Sequence, residues 1–242
     1  MHAKIACFFL CAYLATVAAA AGFAADPSID VSAIYAASQT GAVAKTNIIV
    51  SFPASTGGEE NVQIYGDWLN LDGVSAYYFT ADMDVDCDGV DFQCSGNPDG
   101  QSETSFGALD AASVPWYVIP QTFWDAHRDI KPNALGAVIC DGKMFYGIFG
   151  DTNGDDPEVI GEASLVLAQA CFPDENLDGD NGHTPLDVLF RVDIIFGSKV
   201  PSGVGKEKID IGALKTLGDE QVQLLATALS SSGSANSTIT NP

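Results

Sequence analysis

Residues 150–164, GDTNGDDPEVIGEAS, have the residue types and spacing for chemistry done by a pair of carboxylates. Cleavage of a glycosidic bond needs one carboxylic acid that protonates the leaving oxygen and a second carboxylate on the opposite side of the sugar. Asp151 and Glu162 stand near the two ends of this stretch. If the residues between them turn back, both side chains can point into one cleft. In so acidic a chain, two carboxylates around a turn can equally be ordinary surface residues.

The loop that begins at Asp84 resembles the start of a calcium-binding EF-hand loop. Asp84, Asp86 and Asp88 occupy alternate positions before Gly89, as such a loop requires. The twelfth position, however, holds Ser95, where a bidentate glutamate is needed. A solvated turn is the more common meaning of this pattern. We therefore predict no metal site here and keep calcium binding as the alternative.

The stretch from Asp151 has a similar opening. Asn153 and Asp155 follow at alternate positions, and Glu162 stands twelfth, as in a calcium loop. The sixth position is Asp156 instead of glycine, and a proline follows it. We therefore predict a turn without a metal ion in this stretch as well.

Other catalytic classes find little support in the sequence. There is no G-x-S-x-G motif and no Walker-type glycine loop, and the histidines are His2, His127 and His183. Ser164 lies where an apolar helical pattern begins, which predicts a helix cap instead of a nucleophile. We predict no cofactor.

The charge balance restricts the partners of the chain. It contains 32 acidic and 10 basic residues, for a formal net charge of −22. Such a surface repels nucleic acid and anionic lipid, so we predict neither nucleic acid nor membrane as a partner. It attracts cations and would steer a cationic substrate inward. Acidity can also serve solubility alone.

The N-terminus predicts secretion. Residues 1–21 have the form of a signal peptide, with Lys4 before an apolar stretch that ends in small residues. We therefore predict a secreted, extracellular protein. Four cysteines remain after cleavage, and an even number in a secreted chain predicts disulfides. Of the three possible connectivities we favour the one with Cys87–Cys94 and Cys140–Cys171.

Short strands dominate the rest of the chain. Asp141-Gly142 between two apolar runs predicts a type I′ hairpin, whose second strand ends just before Asp151. Residue patterns predict strands at 47–52, 76–81, 114–121, 144–150, 159–161 and 186–197, a long loop at 82–104, a turn or short helix at 122–131, and helices from 162 or 163 to 170 and at 209–229.

This pattern predicts a mainly β chain with a few helices (α+β), folded as a single-domain β-barrel. The domain would comprise residues 22–229. Residues 230–242 are rich in serine and predict a disordered tail. Asp151 would then leave a strand end, and Glu162 would lie at a strand-to-helix junction.

Aromatic residues beside one strand offer a platform for sugars. Trp116 and Tyr117 lie in the run VPWYVIP, near Trp124. An exposed aromatic ring can stack on the apolar face of a pyranose, so Trp116 and Tyr117 are candidate substrate-binding residues. Burial in the core is the alternative for both.

Two long stretches, residues 77–120 and 134–198, together resemble the fungal chitosanases of glycoside hydrolase family 75. The resemblance extends over about residues 45–205. It implies a secreted, endo-acting enzyme that hydrolyses chitosan, the β-1,4-linked polymer of glucosamine, with inversion at the anomeric carbon. The GDTNG and IGEAS motifs also resemble those of double-psi β-barrel proteins, which implies a barrel of that kind.

The resemblance assigns roles within the carboxylate pair. The essential aspartate and glutamate of the family match Asp151 and Glu162, although Asp155 or Asp156 could be the matching aspartate. We interpret Glu162 as the general acid and Asp151 as the general base, and the reverse assignment stays open.

The acidic loop after residue 81 would bind the substrate. Asp82, Asp84, Asp86 and Asp88 could accept the ammonium groups of glucosamine, which would explain a preference for chitosan over uncharged chitin. We expect a monomer. The alternatives to an enzyme are a non-catalytic carbohydrate-binding module of the cell wall and a calcium-stabilised structural protein.

Overall fold

The computed structural model describes residues 22–40, 43–90, 94, 100–179, 182 and 191–237. The predicted signal peptide lies outside these residues. In chain order the elements are helix α1 (Val31–Gln39), strands β1 (Ile48–Pro53), β2 (Asn61–Tyr65), β3 (Tyr77–Ala81), β4 (Asp84–Asp86) and β5 (Trp116–Pro120), helix α2 (Gln121–Ala126), strands β6 (Leu135–Cys140), β7 (Lys143–Asn153) and β8 (Glu162–Ser164), helix α3 (Leu165–Cys171), strand β9 (Arg191–Phe196) and helix α4 (Ile211–Ser237).

The strands form one nine-stranded sheet in the order β1-β2-β3-β9-β6-β7-β5-β8-β4, curled into a half-barrel. Strand β9, late in the sequence, lies between β3 and β6 and pairs antiparallel with both. Strand β5 pairs parallel with β7, and β4 pairs parallel with β8. The predicted single-domain, mainly β fold with a few helices is confirmed. Its double-psi connectivity stays a prediction.

The hairpin of β6 and β7 was predicted correctly. Asp141 and Gly142 have φ angles of 46° and 68°, the left-handed conformation that a type I′ turn needs at both central positions. Strand β7 then continues past the predicted end at Gly150, because β5 pairs with it as far as Asn153. Asp151 therefore lies inside a strand and not at its exit.

The prediction around Glu162 was wrong in its local structure. Glu162 begins strand β8, and helix α3 starts only at Leu165. Residues 159–161 are not a strand, and a short strand, β4, occupies part of the predicted loop at 82–104. The cause is pairing between segments distant in sequence, in which Asp84 of β4 lies opposite Glu162 of β8.

Ser164 does not act as a helix cap. It occupies the position before α3, but its side chain makes no capping hydrogen bond. Its hydroxyl instead accepts the backbone N–H of Trp116 on β5, at 3.0 Å. The serine therefore joins β8 to β5.

Side chains along the strands alternate between two apolar clusters. On β5, Trp116 and Val118 belong to the larger cluster, against which α3 and α4 pack. Tyr117 and Ile119 belong to the smaller cluster, which includes Phe123 of α2. Strand β5 is thus buried on both sides, as expected for a strand in the interior of a curled sheet.

Both predicted disulfides, Cys87–Cys94 and Cys140–Cys171, are present. The first closes the acidic loop after β4. The second ties the end of β6 to the end of α3. Among the described residues, no helix combines the length and apolarity needed to cross a membrane.

Helix α4 extends into the segment predicted as a disordered tail. It runs to Ser237, so the prediction of disorder was wrong for residues 230–237. The hydroxyls of Ser230 and Ser231 donate to the carbonyls of Ala226 and Thr227, four residues back, which lets serine remain in a helix. Residues 238–242 lie outside the described residues.

A buried ion pair connects β9 to the start of β8. Arg191 and Asp193 are each 1% exposed, with 2.6 Å between Nε and Oδ2 and 2.7 Å between Nη2 and Oδ1. The guanidinium also donates to the carbonyls of Gly161 and Glu162. Because the guanidinium lies against the Asp193 carboxylate and two backbone carbonyls, the arginine can remain charged in the interior and hold the backbone at Glu162.

We expect Arg191→Met to lower the free energy of unfolding by about 3–5 kcal/mol, because it leaves the Asp193 carboxylate buried without its partner. Denaturant unfolding measures the change. The matched control is Lys143→Met, which removes an exposed ion pair with Asp141 and should cost no more than about 1 kcal/mol. Equal losses in the two variants would contradict the assigned role of Arg191.

Candidate active site

Strand β5 brings the two ends of the 150–164 stretch together. Val118 of β5 lies opposite Asp151 of β7, and the adjacent Tyr117 lies opposite Ala163 of β8. Asp151 and Glu162 therefore approach each other with one strand between them, so their backbones are two interstrand spacings, or roughly 10 Å, apart. The intervening residues do turn back, as the sequence analysis required.

Asp151 is a buried carboxylate held by three donors. It is 7% exposed, and its Oδ1 accepts the N–H and the hydroxyl of Ser105 at 2.9 and 2.6 Å, and the N–H of Thr152 at 2.7 Å. Burial raises the pKa of Asp151 above its ordinary value, and these hydrogen bonds oppose the increase. Donors of this kind favour the ionised carboxylate.

Glu162 has a different environment. Its side chain is half-buried, and its Oε2 accepts a hydrogen bond from Nδ2 of Asn153 at 3.0 Å. Burial, followed by the nearby charge of Asp86, raises the pKa of Glu162 to about 8. At neutral pH this carboxyl group is therefore mainly protonated, whereas an ordinary glutamate would be ionised.

Asp86 and Asp88 lie beside Asp151. One carboxylate oxygen of each of the three residues lies within 4.8 Å of the others, close enough to share one cation. Asp86 also accepts the N–H of Asp88 at 2.8 Å and the indole N–H of Trp116 at 2.9 Å. Burial, and then the charge of Asp151, raises the pKa of Asp86. The predicted absence of a metal ion stays a prediction.

The two other aspartates of the acidic loop lie near Glu162. Asp84 is opposite Glu162 in the parallel β4–β8 pair, and both Asp82 and Asp84 are half-buried. Burial, and then the charge of Asp84, raises the pKa of Asp82 to about 7. Burial also raises the pKa of Asp84, while the charge of Arg191 lowers it. Because a nearby positive charge favours the ionised form, carboxyls with a raised pKa at this edge would ionise more readily beside a cationic ligand.

Trp116 and Tyr117 are not sugar platforms, so that prediction was wrong. They are 0% and 1% exposed, because β5 is covered on both sides. The indole of Trp116 orients Asp86, and the hydroxyl of Tyr117 donates to the carbonyl of Ala134 at 3.1 Å. Trp124, at half-burial, has the guanidinium of Arg128 3.9 Å from its ring centroid.

Asp155 and Asp156 are exposed, unlike Asp151. The N–H of Asp155 donates to the side-chain oxygen of Asn153, and its charge contributes to the raised pKa of Glu162. Asp151 alone of the three is buried and belongs to the cluster with Asp86 and Asp88. These environments favour Asp151 as the partner of Glu162.

Sequence reasoning missed three residues of the site. Asn153 was in the motif, but was considered only as a calcium ligand. Ser105 and Arg191 were not considered at all, and Ser105 has no local signal. Ser105 lies 46 residues from the Asp151 that it contacts, and Arg191 lies 30 residues from Gly161. Two opposite charges, Arg191 and Asp193, in a strand whose other residues are apolar were the one available hint of the role of Arg191.

Comparison with known proteins places the chain among chitosanases. A family model described as fungal chitosanase of glycosyl hydrolase group 75 matches residues 83–223. Endo-chitosanase C of Aspergillus oryzae is 46% identical over 214 residues, which are 87% of this chain and 56% of that protein. An endo-chitosanase of Aspergillus fumigatus is 39% identical over 164 residues, 58% of this chain and 67% of that protein.

The chain thus spans little more than half the length of the Aspergillus oryzae protein. The matched region, residues 83–223, contains Asp151, Glu162 and the buried arginine that holds β8. The match and the identities agree with the resemblance in the motifs, and the chain belongs to the fungal chitosanases of glycosyl hydrolase group 75.

Proposed function

We propose that this chain is a secreted endo-chitosanase that hydrolyses β-1,4 linkages between glucosamine units, with inversion at the anomeric carbon. The observation that carries the proposal is the unequal environment of two neighbouring carboxyls. Glu162 has a pKa of about 8, whereas three hydrogen bonds favour the ionised form of Asp151. One acid and one base at the same pH are what inverting hydrolysis requires.

In the proposed reaction Glu162 gives its proton to the glycosidic oxygen as that bond breaks. Asp151 takes a proton from a water molecule that attacks the anomeric carbon on the opposite face. Inverting enzymes hold the two carboxyls about 6.5–9.5 Å apart to leave room for this water. A backbone separation of two interstrand spacings, roughly 10 Å, is compatible with such a gap.

The substrate class follows from the charge around the pair. Asp82, Asp84, Asp86 and Asp88 lie on the β4 side of the site, and the chain has a net charge of −22. A polymer of ammonium sugars would be attracted to this surface. Its positive charges would also favour the ionised form of those carboxyl groups whose pKa is raised. The Aspergillus relatives of this chain are endo-chitosanases, which is consistent with this substrate.

Secretion and domain extent belong to the same proposal. Two disulfides are typical of a protein that folds in an oxidising compartment, which supports a cleaved leader at residues 1–21. We propose that residues from 22 onward form one monomeric catalytic domain.

A calcium-stabilised structural protein is the second candidate, since Asp86, Asp88 and Asp151 could share a cation. Loss of thermal stability on chelation, without activity on chitosan, would favour it.

Glu162→Gln tests the acid. We expect kcat on soluble chitosan, measured as new reducing ends, to fall about 10²–10⁴-fold, because the amide has no proton to give. Asp151→Asn should cause a loss in the same range. Glu220→Gln, at an exposed position on α4, is the matched control and should keep wild-type activity. A folded Glu162→Gln variant with full activity would disprove the assignment.

The pH dependence of kcat/KM should be bell-shaped. Glu162 must be protonated to act, so activity should fall as pH rises through about 8, the raised pKa of this residue. Asp151 must be ionised, so activity should fall as pH drops through its pKa, which burial raises above the ordinary value. Initial rates at low substrate concentration give the profile. A basic limb that persists in Asp151→Asn but not in Glu162→Gln would confirm the assignment of roles, and the opposite result would reverse it.

Asp84→Asn tests the charge pairing with substrate. We expect KM for chitosan to increase, because the variant loses the attraction between Asp84 and the ammonium groups of the substrate. The increase should be larger at low salt, where this attraction is screened less. Asp141→Asn removes an equal charge at the far end of β7, roughly 25 Å of strand from Asp151, and serves as the control. If both variants raise KM equally, the effect is one of net charge and the acidic loop is not a substrate site.

A further inference from the structure

Asn153 lies at the end of β7, two residues beyond Asp151, and is 7% exposed. Both ends of its amide are engaged. Its Nδ2 donates to Oε2 of Glu162 at 3.0 Å, while its Oδ1 accepts the N–H of Val159 at 3.1 Å and that of Asp155 at 3.3 Å. The proposed mechanism does not use this residue.

The backbone decides which way the amide faces. An N–H group can only donate, so the atom that faces Val159 and Asp155 must be the carbonyl oxygen of Asn153. The NH₂ end must then face Glu162. A flipped amide would place two donors against its own NH₂ group and an oxygen against a carboxyl group.

This orientation restricts the proton on Glu162. The NH₂ group of Asn153 has no lone pair to offer, so Oε2 of Glu162 has to act as an acceptor whether the carboxyl group is neutral or ionised. When Glu162 is protonated, its proton is therefore favoured on Oε1, because the carbonyl oxygen of a carboxylic acid is a better acceptor than its hydroxyl oxygen. The proton is thereby directed away from Asn153.

We infer that Asn153 is a positioning residue for the acid: it holds Oε2 as the carbonyl oxygen of the protonated Glu162 and so places the acidic proton on Oε1. The inference rests on the proposed role of Glu162 as general acid. The same side chain anchors residues 155–159. One amide therefore fixes both the segment between the two carboxylates and the orientation of the acid.

Two substitutions separate positioning from anchoring. Asn153→Asp keeps the oxygen that accepts from Val159 and Asp155, but replaces the NH₂ donor by a carboxylate oxygen. The new oxygen would draw the proton of Glu162 onto Oε2, the wrong side. Asn153→Ala removes both functions and leaves the proton free to occupy either oxygen. Positioning and anchoring therefore predict opposite rankings of the two variants.

We expect Asn153→Asp to lower kcat on chitosan about 10²-fold, as misplacement of a reacting group can do, with a smaller loss in Asn153→Ala and little change in KM. Thermal unfolding should rank them the other way, with Asn153→Ala the less stable because the segment loses its anchor. Titration of the Glu162 carboxyl by ¹³C NMR should show a higher pKa in Asn153→Asp, since a donor is lost and a negative charge is added.

Glu158→Gln is the matched control. It alters the contact of the same segment with the backbone N–H and hydroxyl of Thr122, but leaves Asn153 and Glu162 in place. The pKa of Glu162 in this variant should equal that of the wild type.

If the wild type is active and kcat ranks the two variants as thermal stability does, with Asn153→Ala worse than Asn153→Asp, the positioning inference is wrong. The proposed function would stand in that case. An unchanged pKa of Glu162 in Asn153→Asp would do the same. A wild type without activity on chitosan would overturn the proposed function, and the positioning role with it.

Discussion

The geometry of the site depends on one buried cation. Arg191 pairs with Asp193 on β9 and donates to the carbonyls of Gly161 and Glu162, so that a central strand holds the short strand on which the proposed acid lies. Strand β8 is only three residues long, so the contacts of Arg191 add to a short strand pairing. The same charge lowers the pKa of Asp82 and Asp84, against the effect of burial. A chain with so few basic residues thus places one of them, fully buried, beneath its most acidic region.

Hydrogen bonds differentiate carboxyls that would otherwise behave alike. Asp151 receives three donors on one oxygen, two of them from Ser105 in a distant loop. Glu162 receives one donor, from Asn153, and has the charge of Asp86 nearby. The closeness of the carboxyl groups to one another raises the free energy of ionising each of them. The hydrogen bonds that each carboxyl group accepts then favour ionisation of some over others. The proposed acid and the proposed base therefore differ through their hydrogen-bond partners, and not through residue type.

Local patterns predicted well those features that depend on neighbouring residues. Asp141-Gly142 specified its hairpin because the turn geometry belongs to those two residues. Both disulfides and the mainly β fold were also predicted correctly. Predictions failed where distant strands intervened. Glu162 was expected near a helix start, but pairing with β4 makes it part of a strand. Trp116 and Tyr117 were candidate sugar-binding residues with burial as the alternative, and the apolar clusters on the two sides of β5 bury them.

The sequence by itself determined the ingredients of this protein: the motif that carries Asp151 and Glu162, the strongly acidic composition, and the membership of a family. Tertiary structure alone decided that β5 separates the two carboxylates by one strand, that Arg191 holds the backbone of Glu162, and that Asn153 turns its amide towards Glu162. The physical reason is the separation along the chain of the residues that interact. Turn geometry and charge composition are properties of adjacent or summed residues, whereas burial, proton affinity and hydrogen-bond partners arise between segments that meet only when the sheet has closed.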